Sequence, residues 1–417
     1  MKEALIKSLK YIVICLSVIA ASACLWAQED DGQSNVRENP NIVDCDSVHS
    51  VQKIEYPSYI NLDANHIDLN GDDWEDLCKT LSRAGEERVS IVHIGDSHLQ
   101  ADMATAVVRR RLGERFGSAG RGLIVPFKLA GTNEPSDYAI KSNAEVSQAR
   151  LLKTPWPVEM GFTGIGVKPA KKQFELSFWA LEPFDSIAVY FNGECDLRVD
   201  SLDAQYAKGL TAISLTDTCS AITLNFESEQ AVSIHGINLI RGNKGVNYHV
   251  IGNNGATYGT YNGVKGFERD VAALEPSLII ISLGTNEAFG RTTDAELRTQ
   301  MRTMIQGLRR ECPGAKFLIT TPAECQRRTY RGKGRNRRRA GFAINMDVKR
   351  LRNAIIEFGK AEGIAVYDFY AVAGGDGSSS KWLNDGKMNR DRIHLLKPGY
   401  MVQGHLLADA LLEKFEN

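Results

Sequence analysis

Residues 90–98, Ser-Ile-Val-His-Ile-Gly-Asp-Ser-His, constrain the fold more than any other part of the sequence. Three of their first five residues, Ile91, Val92 and Ile94, are apolar, and the segment is typical of a buried strand that ends at Gly95. Residues 103–116 follow with Val107, Val108 and Leu112 on one face of a predicted helix. A strand, a tight turn and a helix are therefore predicted around residues 95–98.

The alternation of strands and helices resumes after residue 247. Residues 277–283, Ser-Leu-Ile-Ile-Ile-Ser-Leu, form an apolar run of the kind found in strands that are buried on both faces of a parallel sheet. Such alternation predicts a three-layer α/β/α domain with a doubly wound parallel sheet. Further helices are predicted at 72–81, 294–310, 344–361 and 399–415, and further strands at 248–251, 316–321 and 364–368.

The middle of the chain has a different pattern. Between residues 168 and 240, apolar and polar side chains alternate in short segments at 174–179, 186–191 and 221–226. This period of two predicts an all-β module inserted into the α/β domain. The predicted organisation is a leader at 1–27, a linker and helix at 28–87, the first part of the α/β domain at 88–130, the β module at 131–245, and the second part of the α/β domain at 246–417.

Four polar segments lie where ligands bind in such a sheet, at the carboxyl ends of strands or before the last helix. They are 95–97, 252–255, 284–287 and 391–394. A serine hydroxyl needs a base to become a nucleophile, and the base needs a group that orients it. Ser97, His394 and Asp391 can supply these three roles. The backbone N–H groups of Ser97 and Gly255 and the side-chain amide of Asn286 can donate to an oxyanion.

This set of residues resembles the SGNH (GDSL-like) hydrolase family. The four residues that name the family correspond to Ser97, Gly255, Asn286 and His394, in the same order, and the family's aspartate corresponds to Asp391. The resemblance covers about 88–130 and 245–417. It implies a serine esterase that forms an acyl-enzyme. One departure is Glu287, where many members have aspartate.

A narrower resemblance is to the peptidoglycan O-acetylesterase branch of this family. It rests on residues 94–98, 118–122, 254–256 and 284–288 and on the β insertion between them. The resemblance implies a carbohydrate-binding-like sandwich for the β module, and removal of acetyl groups from the 6-O position of muramic acid. Plant or other polysaccharides and lipid esters remain alternative substrates. An O-acetyltransferase with the same triad and a non-enzymatic glycan-binding protein remain alternative functions.

Each candidate residue also has an ordinary structural interpretation. Ser97 could cap the helix that follows it, since serine is a favoured N-cap. His394 could be a surface or core histidine, and Gly255 a turn glycine. His98 is predicted either to contact substrate or to lie exposed in a loop. His93 is predicted to lie in the core, and Asp96 to be a structural carboxylate.

The amino terminus has the pattern of a secretory signal peptide. Lys2, Lys7 and Lys10 are followed by a short apolar run and by small residues that suit a cleavage site. The sequence therefore predicts export to the periplasm or cell envelope. Cys24 is a candidate for lipidation, which would attach the protein to a membrane. A retained membrane anchor is the other interpretation of this segment.

Composition excludes several classes of protein. With 50 basic and 51 acidic residues, the net charge of −1 does not favour a nucleic-acid partner. The sequence lacks metal-protease, phosphate-loop and dinucleotide-binding fingerprints, so no metal or organic cofactor is expected. Cys195 with Cys219, and Cys312 with Cys325, could form disulfides or remain free thiols. A run of basic residues at 327–339 is predicted to be a mobile, solvated loop or a site for substrate carboxylates. The oligomeric state is left open.

Overall fold

The structure is a computed structural model that describes residues 55–200, 202–332 and 337–416. The predicted signal peptide, Cys24 and most of the predicted linker lie outside the described residues. Within the described part of the chain, no helix combines the length and the hydropathy needed to cross a membrane.

The strands are numbered β1 to β17 in chain order, and the helices are referred to by their ranges. The strands are β1 (Ile67–Asp68), β2 (Arg88–Gly95), β3 (Gly122–Ile124), β4 (Tyr138–Ser142), β5 (Val146–Arg150), β6 (Ile165–Pro169), β7 (Gln173–Asn192), β8 (Glu194–Val199), β9 (Gln205–Lys208), β10 (Thr211–Glu227), β11 (Ser233–Ile240), β12 (Gly245–Gly252), β13 (Pro276–Ser282), β14 (Lys316–Thr320), β15 (Gln326–Arg331), β16 (Arg338–Ile344) and β17 (Ala365–Tyr367). The helices are Glu75–Ser82, Ser97–Gln100, Met103–Phe116, Tyr258–Asn262, Phe267–Ala272, Thr285–Phe289, Asp294–Glu311, Met346–Glu362, Phe369–Val372, Ser378–Asn384 and Lys397–Glu416, with a short 3-10 turn at Leu62–Ala64.

The first sheet has six strands in the order β1-β17-β14-β13-β2-β12. All neighbours pair in parallel except β1, which is antiparallel to β17. Helices cover both faces, because the side chains of a central strand alternate between two apolar cores. In β13, Leu278 and Ile280 join one core cluster, while Ile279 and Ile281 join the other. The predicted three-layer α/β/α arrangement with a doubly wound sheet is therefore confirmed.

His93 lies in this sheet and is buried, as predicted. Its Nδ1 lies 2.7 Å from the hydroxyl of Tyr248, and its Nε2 lies 2.6 Å from Oγ of Ser282. Burial lowers the pKa of His93 to about 3, so the ring is neutral at physiological pH. Its two polar partners satisfy both ring nitrogens within the core.

The second sheet is the antiparallel module predicted for the middle of the chain. Its strands lie in the order β5-β6-β11-β7-β10-β8-β9, with β3 added beside β11 and β4 beside β7. Because β3 pairs with β11, this sheet already begins at Gly122, before the predicted boundary at residue 131. Its own core is rich in aromatic side chains, including the stacked pair Phe174 and Phe226.

The structure joins two strands that the sequence predicts separately. Segments 174–179 and 186–191 are the two halves of the single strand β7, which runs from Gln173 to Asn192. Pairing with β10 shifts register between Trp179 and Phe184. Pro183 lies in this gap, where the ladder needs no N–H donor, so the chain stays extended through the proline.

The prediction of a mobile loop at 327–339 is wrong for the described residues, because β15 and β16 pair antiparallel there. Aromatic side chains support these strands: the guanidinium of Arg337 lies 3.9 Å from the ring centre of Tyr330, and that of Arg339 lies 4.9 Å from the ring centre of Phe342. The sequence did not predict the hairpin, because arginine occupies many of its positions and the alternation of apolar and polar side chains that is typical of a strand is missing. The cysteines at 195, 219, 312 and 325 are free thiols in the structure, so neither candidate disulfide forms.

Candidate active site

Adjacent parallel strands bring three of the four polar segments together. Gly95 at the end of β2 is in register with Gly252 of β12 on one side and with Ser282 of β13 on the other. The segments that carry Ser97, Gly255 and Asn286 therefore leave the same edge of the sheet as neighbours. His394 reaches this edge from the loop before the helix Lys397–Glu416.

Ser97, His394 and Asp391 form a continuous line of hydrogen-bonding groups. Oγ of Ser97 lies 2.8 Å from Nε2 of His394, and Nδ1 of His394 lies 2.7 Å from Oδ2 of Asp391. The other carboxylate oxygen of Asp391 accepts from the backbone N–H groups of Ile393 (2.9 Å) and His394 (3.0 Å). The spacing of three residues thus lets one turn hold both the imidazole and its carboxylate partner.

His394 and Asp391 each stabilise the charged form of the other. Burial by itself would raise the pKa of Asp391, but the bonds from His394 and the two backbone donors outweigh it and lower that pKa to about 2. The bond to Asp391 raises the pKa of His394, although burial opposes the charged ring. An imidazole held in this way can accept the proton of Ser97 and stabilise the charge that results.

Two backbone N–H groups and one side-chain amide are the candidate hydrogen-bond donors at the site. The backbone N–H groups of Ser97 and Gly255 donate to no acceptor among the residues described. The side-chain nitrogen of Asn286 is 3.0 Å from the carbonyl of Ala256 and 3.2 Å from Oδ2 of Asp96. A substrate oxygen would therefore meet two free backbone donors, and it would compete with Asp96 for the amide of Asn286.

The structure places the His98 ring beside His394, and it places Asp96 in the turn that carries Ser97. Nδ1 of His98 lies 3.1 Å from the Tyr400 hydroxyl, and its ring centre lies 5.2 Å from that of His394. His98 is half-buried instead of exposed in a loop, and burial lowers its pKa. Asp96 is buried and accepts from the backbone N–H of His98, so it caps the turn that carries Ser97.

Glu287 joins two of the site segments, a role that its sequence position did not reveal. Its Oε1 accepts from the backbone N–H of Tyr258, and its Oε2 accepts from that of Gly284. The side chain is 1% exposed, and burial raises its pKa to about 7. Glu287 therefore ties the segment of Gly255 to the segment of Asn286. Only the tertiary structure could show this role of Glu287, because its two hydrogen bonds reach residues of different loops.

We expect Glu287→Gln to lower the free energy of unfolding by about 1–3 kcal/mol, because one buried N–H would then face an amide NH₂ group. Urea unfolding measures this change. The matched control is Glu357→Gln, which removes an exposed carboxylate that pairs only with Arg298 on the surface. That control should change stability by less than about 1 kcal/mol. Equal effects of the two variants would contradict the role of Glu287.

Two further residues shape the site beside Gly255. Oε1 of Gln100 accepts from the backbone N–H of Asn254 at 2.8 Å and so holds the loop before Gly255. Leu152, from the β module, covers Gly255 so closely that a Cβ there would lie 2.2 Å from its Cδ1. The positive φ of Gly255, +81°, also favours glycine.

A cavity of about 200 Å³ opens next to these residues, and its polar lining includes Thr132, Arg150, Lys153 and Asn254. The Leu152–Gly255 contact joins the β module to the α/β domain, and the Gln100–Asn254 bond joins the segments after β2 and β12, so no local sequence pattern could have indicated either.

Within the described residues, no cluster of histidine, cysteine and carboxylate side chains has the arrangement needed to hold a metal ion.

Comparisons with known proteins agree with this architecture. Residues 227–402 match the model of the GDSL-like Lipase/Acylhydrolase family. This span contains Gly255, Asn286, Asp391 and His394, whereas Ser97 lies before the β module. The solved structure of a peptidoglycan O-acetylesterase aligns with a TM-score of 0.70 at 21% identity, over 86% of this chain and 98% of its own, and so shares the fold. A lipase/acylhydrolase from Enterococcus faecalis aligns with a TM-score of 0.30 at 22% identity, over 41% of this chain and 78% of its own. No curated protein sequence matches significantly.

Proposed function

Because this chain is a carboxylic ester hydrolase with a GDSL-like lipase/acylhydrolase domain, we propose that it removes O-acetyl groups from peptidoglycan through Ser97, His394 and Asp391. The observation that carries the proposal is the hydrogen-bonded line from Ser97 through His394 to Asp391 beside two free backbone donors. The choice of substrate is supported by the shared fold, which extends over both sheets to a peptidoglycan O-acetylesterase.

The reaction would proceed in two steps. Oγ of Ser97 attacks the acetyl carbonyl while His394 takes the hydroxyl proton, and Asp391 stabilises the imidazolium. The N–H groups of Ser97 and Gly255, with the amide of Asn286, hold the negative oxygen of the tetrahedral intermediate. His394 then returns the proton to the departing sugar oxygen. Water attacks the acetyl-serine in the second step with His394 as base, releasing acetate and restoring the Ser97 hydroxyl.

We also propose that the protein acts in the cell envelope after export, as the signal-peptide pattern at residues 1–27 predicts. A periplasmic or envelope-attached enzyme would meet peptidoglycan directly. Lipidation at Cys24 would add a membrane attachment, and mass spectrometry of the mature amino terminus would distinguish a free protein from a lipoprotein.

The test of the proposed function is acetate release from O-acetylated peptidoglycan by the purified protein. We expect release that disappears in Ser97→Ala. Acetylated xylan and a small aryl acetate are assayed in parallel. Release from xylan alone would assign a different polysaccharide, and cleavage of the aryl acetate alone would keep the esterase but reject both polymers. Transfer of acetyl to an added sugar in excess of hydrolysis would identify a transferase instead.

The rate should depend on pH through His394. The base must be neutral to take the serine proton, and its bond to Asp391 raises its pKa above the usual 6.5. We therefore expect kcat/KM for an aryl acetate to fall on the acid side, with an apparent pKa above 6.5. Asp391 stays ionised throughout this range, because its pKa is about 2. A midpoint at or below 6.5 would contradict the observed pairing of His394 with Asp391.

A further inference from the structure

We propose that the two-stranded hairpin β15–β16 binds the peptide carboxylates of the substrate, an inference that rests on the proposed function and specifies how its substrate is recognised. This arginine hairpin is defined by Gln326–Arg331 and Arg338–Ile344. Between residues 326 and 344 the sequence contains eight basic and no acidic residues.

The base of the arginine hairpin is hydrogen-bonded to two segments that carry residues of the active site. The backbone N–H of Gln326 donates to the carbonyl of Arg392, two residues from His394, at 2.9 Å. Nη1 of Arg392 donates back to Oε1 of Gln326 at 2.6 Å. From the next residue of β15, Nη2 of Arg327 donates at 2.7 Å to the carbonyl of Ala288, two residues from Asn286. The base of the hairpin is therefore hydrogen-bonded to the segment that carries His394 and to the segment that carries Asn286.

The outer arginines of the hairpin lack acidic partners. Arg327 pairs with Asp347. The exposed arginines beyond it form no ion pair with any carboxylate of the described residues; they are Arg328, Arg331, Arg337, Arg338 and Arg339. Exposed arginines elsewhere in the described residues include paired ones, such as Arg83 and Arg115, and unpaired ones that are dispersed along the chain, such as Arg241 and Arg309. The hairpin differs because it groups five unpaired guanidinium groups on or next to two paired strands. A group of unpaired guanidinium groups on a hairpin whose base bonds the segments of His394 and Asn286 is complementary to an anionic substrate.

The pairing of the two strands strengthens this argument. Arg331 lies directly opposite Arg338, and like charges in this position destabilise a two-stranded ribbon. An isolated two-stranded hairpin is only marginally stable in water. A carboxylate bound between the two guanidinium groups would remove the repulsion and would suit their bidentate geometry.

The dimensions suit a peptide branch. Arg331 lies four residues after Arg327 along β15, which places it about 13 Å farther from the site at roughly 3.3 Å per residue. In peptidoglycan the peptide is attached to the same sugar that carries the 6-O-acetyl group. Four extended peptide residues span up to about 14 Å. Carboxylates of the peptide can therefore reach the outer arginines while the acetyl group lies at Ser97. The net charge of −1 argues against a nucleic acid as the partner.

The test compares two soluble substrates, O-acetylated peptidoglycan fragments with their peptides and the same fragments after an amidase has removed the peptides. For the variant with Arg331→Gln and Arg338→Gln, we expect KM for the peptide-bearing fragments to rise about tenfold relative to KM for the peptide-free strands. The value of kcat should stay within about twofold, and added salt should reduce the difference. The melting temperature should not fall, because the variant removes a repulsion.

The matched control is Arg241→Gln with Lys244→Gln. These exposed residues carry the same charge and lie before β12, at the end of the sheet opposite Ser97. We expect no change in the ratio of the two KM values. A ratio that is equally altered in both variants would show a general charge effect and overturn the proposal.

Two other results would separate this inference from the proposed function. If the unaltered protein deacetylates both substrates and the arginine variant shows the same KM ratio, the hairpin proposal alone is wrong. If the unaltered protein cleaves an aryl acetate but releases no acetate from either fragment, the proposed function fails and this inference with it. Binding of anionic vesicles or DNA that depends on Arg331 and Arg338, with an unchanged KM ratio, would also overturn the proposal in favour of that partner.

Discussion

Ser97→Ala should reduce kcat for ester hydrolysis by about 10⁶-fold, which is the scale seen when the serine of a serine–histidine–carboxylate unit is removed. The variant lacks the oxygen that forms the acetyl-enzyme, and water cannot replace it at the same position. His394 and the donors of the site would remain. Initial rates with an aryl acetate, at enzyme concentrations high enough to detect slow turnover, measure the loss.

The control for this variant is Ser82→Ala, an exposed hydroxyl at the end of the helix Glu75–Ser82 that bonds only the carbonyl of Lys79. It should keep full activity. Circular dichroism and the melting temperature should show that Ser97→Ala is folded, because the hydroxyl contributes one partly exposed hydrogen bond. A folded Ser97→Ala variant with more than about one hundredth of the original rate would reject Ser97 as the nucleophile.

Asp391→Asn should reduce kcat by about 10⁴-fold while leaving the fold intact. An amide in this position can present its NH₂ group to Nδ1 of His394, which selects the tautomer that has a proton on Nε2 and cannot accept one from Ser97. The amide also removes the negative charge that raises the pKa of His394. Any remaining activity should therefore have its acid limb at a lower pH than in the unaltered protein. Rates of aryl acetate hydrolysis between pH 5 and pH 9 measure both effects.

Asp385→Asn is the matched control. Asp385 lies shortly before Asp391 in the chain, and its carboxylate bonds Tyr59 and Lys387 at the surface. We expect less than about a twofold change in kcat. A loss below about tenfold in Asp391→Asn, or an unchanged acid limb, would mean that His394 does not depend on this carboxylate.

The regular elements of the α/β domain could be predicted from local patterns. The apolar run at 277–283 corresponds to β13, and the helix predicted at 294–310 corresponds to Asp294–Glu311. These segments were predictable because burial on both faces of a sheet, or on one face of a helix, restricts which side chains are tolerated. The pattern failed at β7 and at the arginine hairpin. In β7 the strand continues through a proline, and in the hairpin aromatic and arginine side chains replace the usual apolar alternation.

The sequence by itself determined the class of fold and the order of the four polar segments, since both follow from apolar periodicity and from residue types at predicted strand ends. It also indicated Ser97, His394 and Asp391 as a candidate set. Only the tertiary structure decided how the surrounding groups meet: Glu287 joins two loops, Leu152 of the β module covers Gly255, and the base of the arginine hairpin bonds the segment that carries Asn286. Each of these contacts joins residues that are distant in the chain or in different loops. Their distances depend on strand order and register, which local side-chain patterns do not encode.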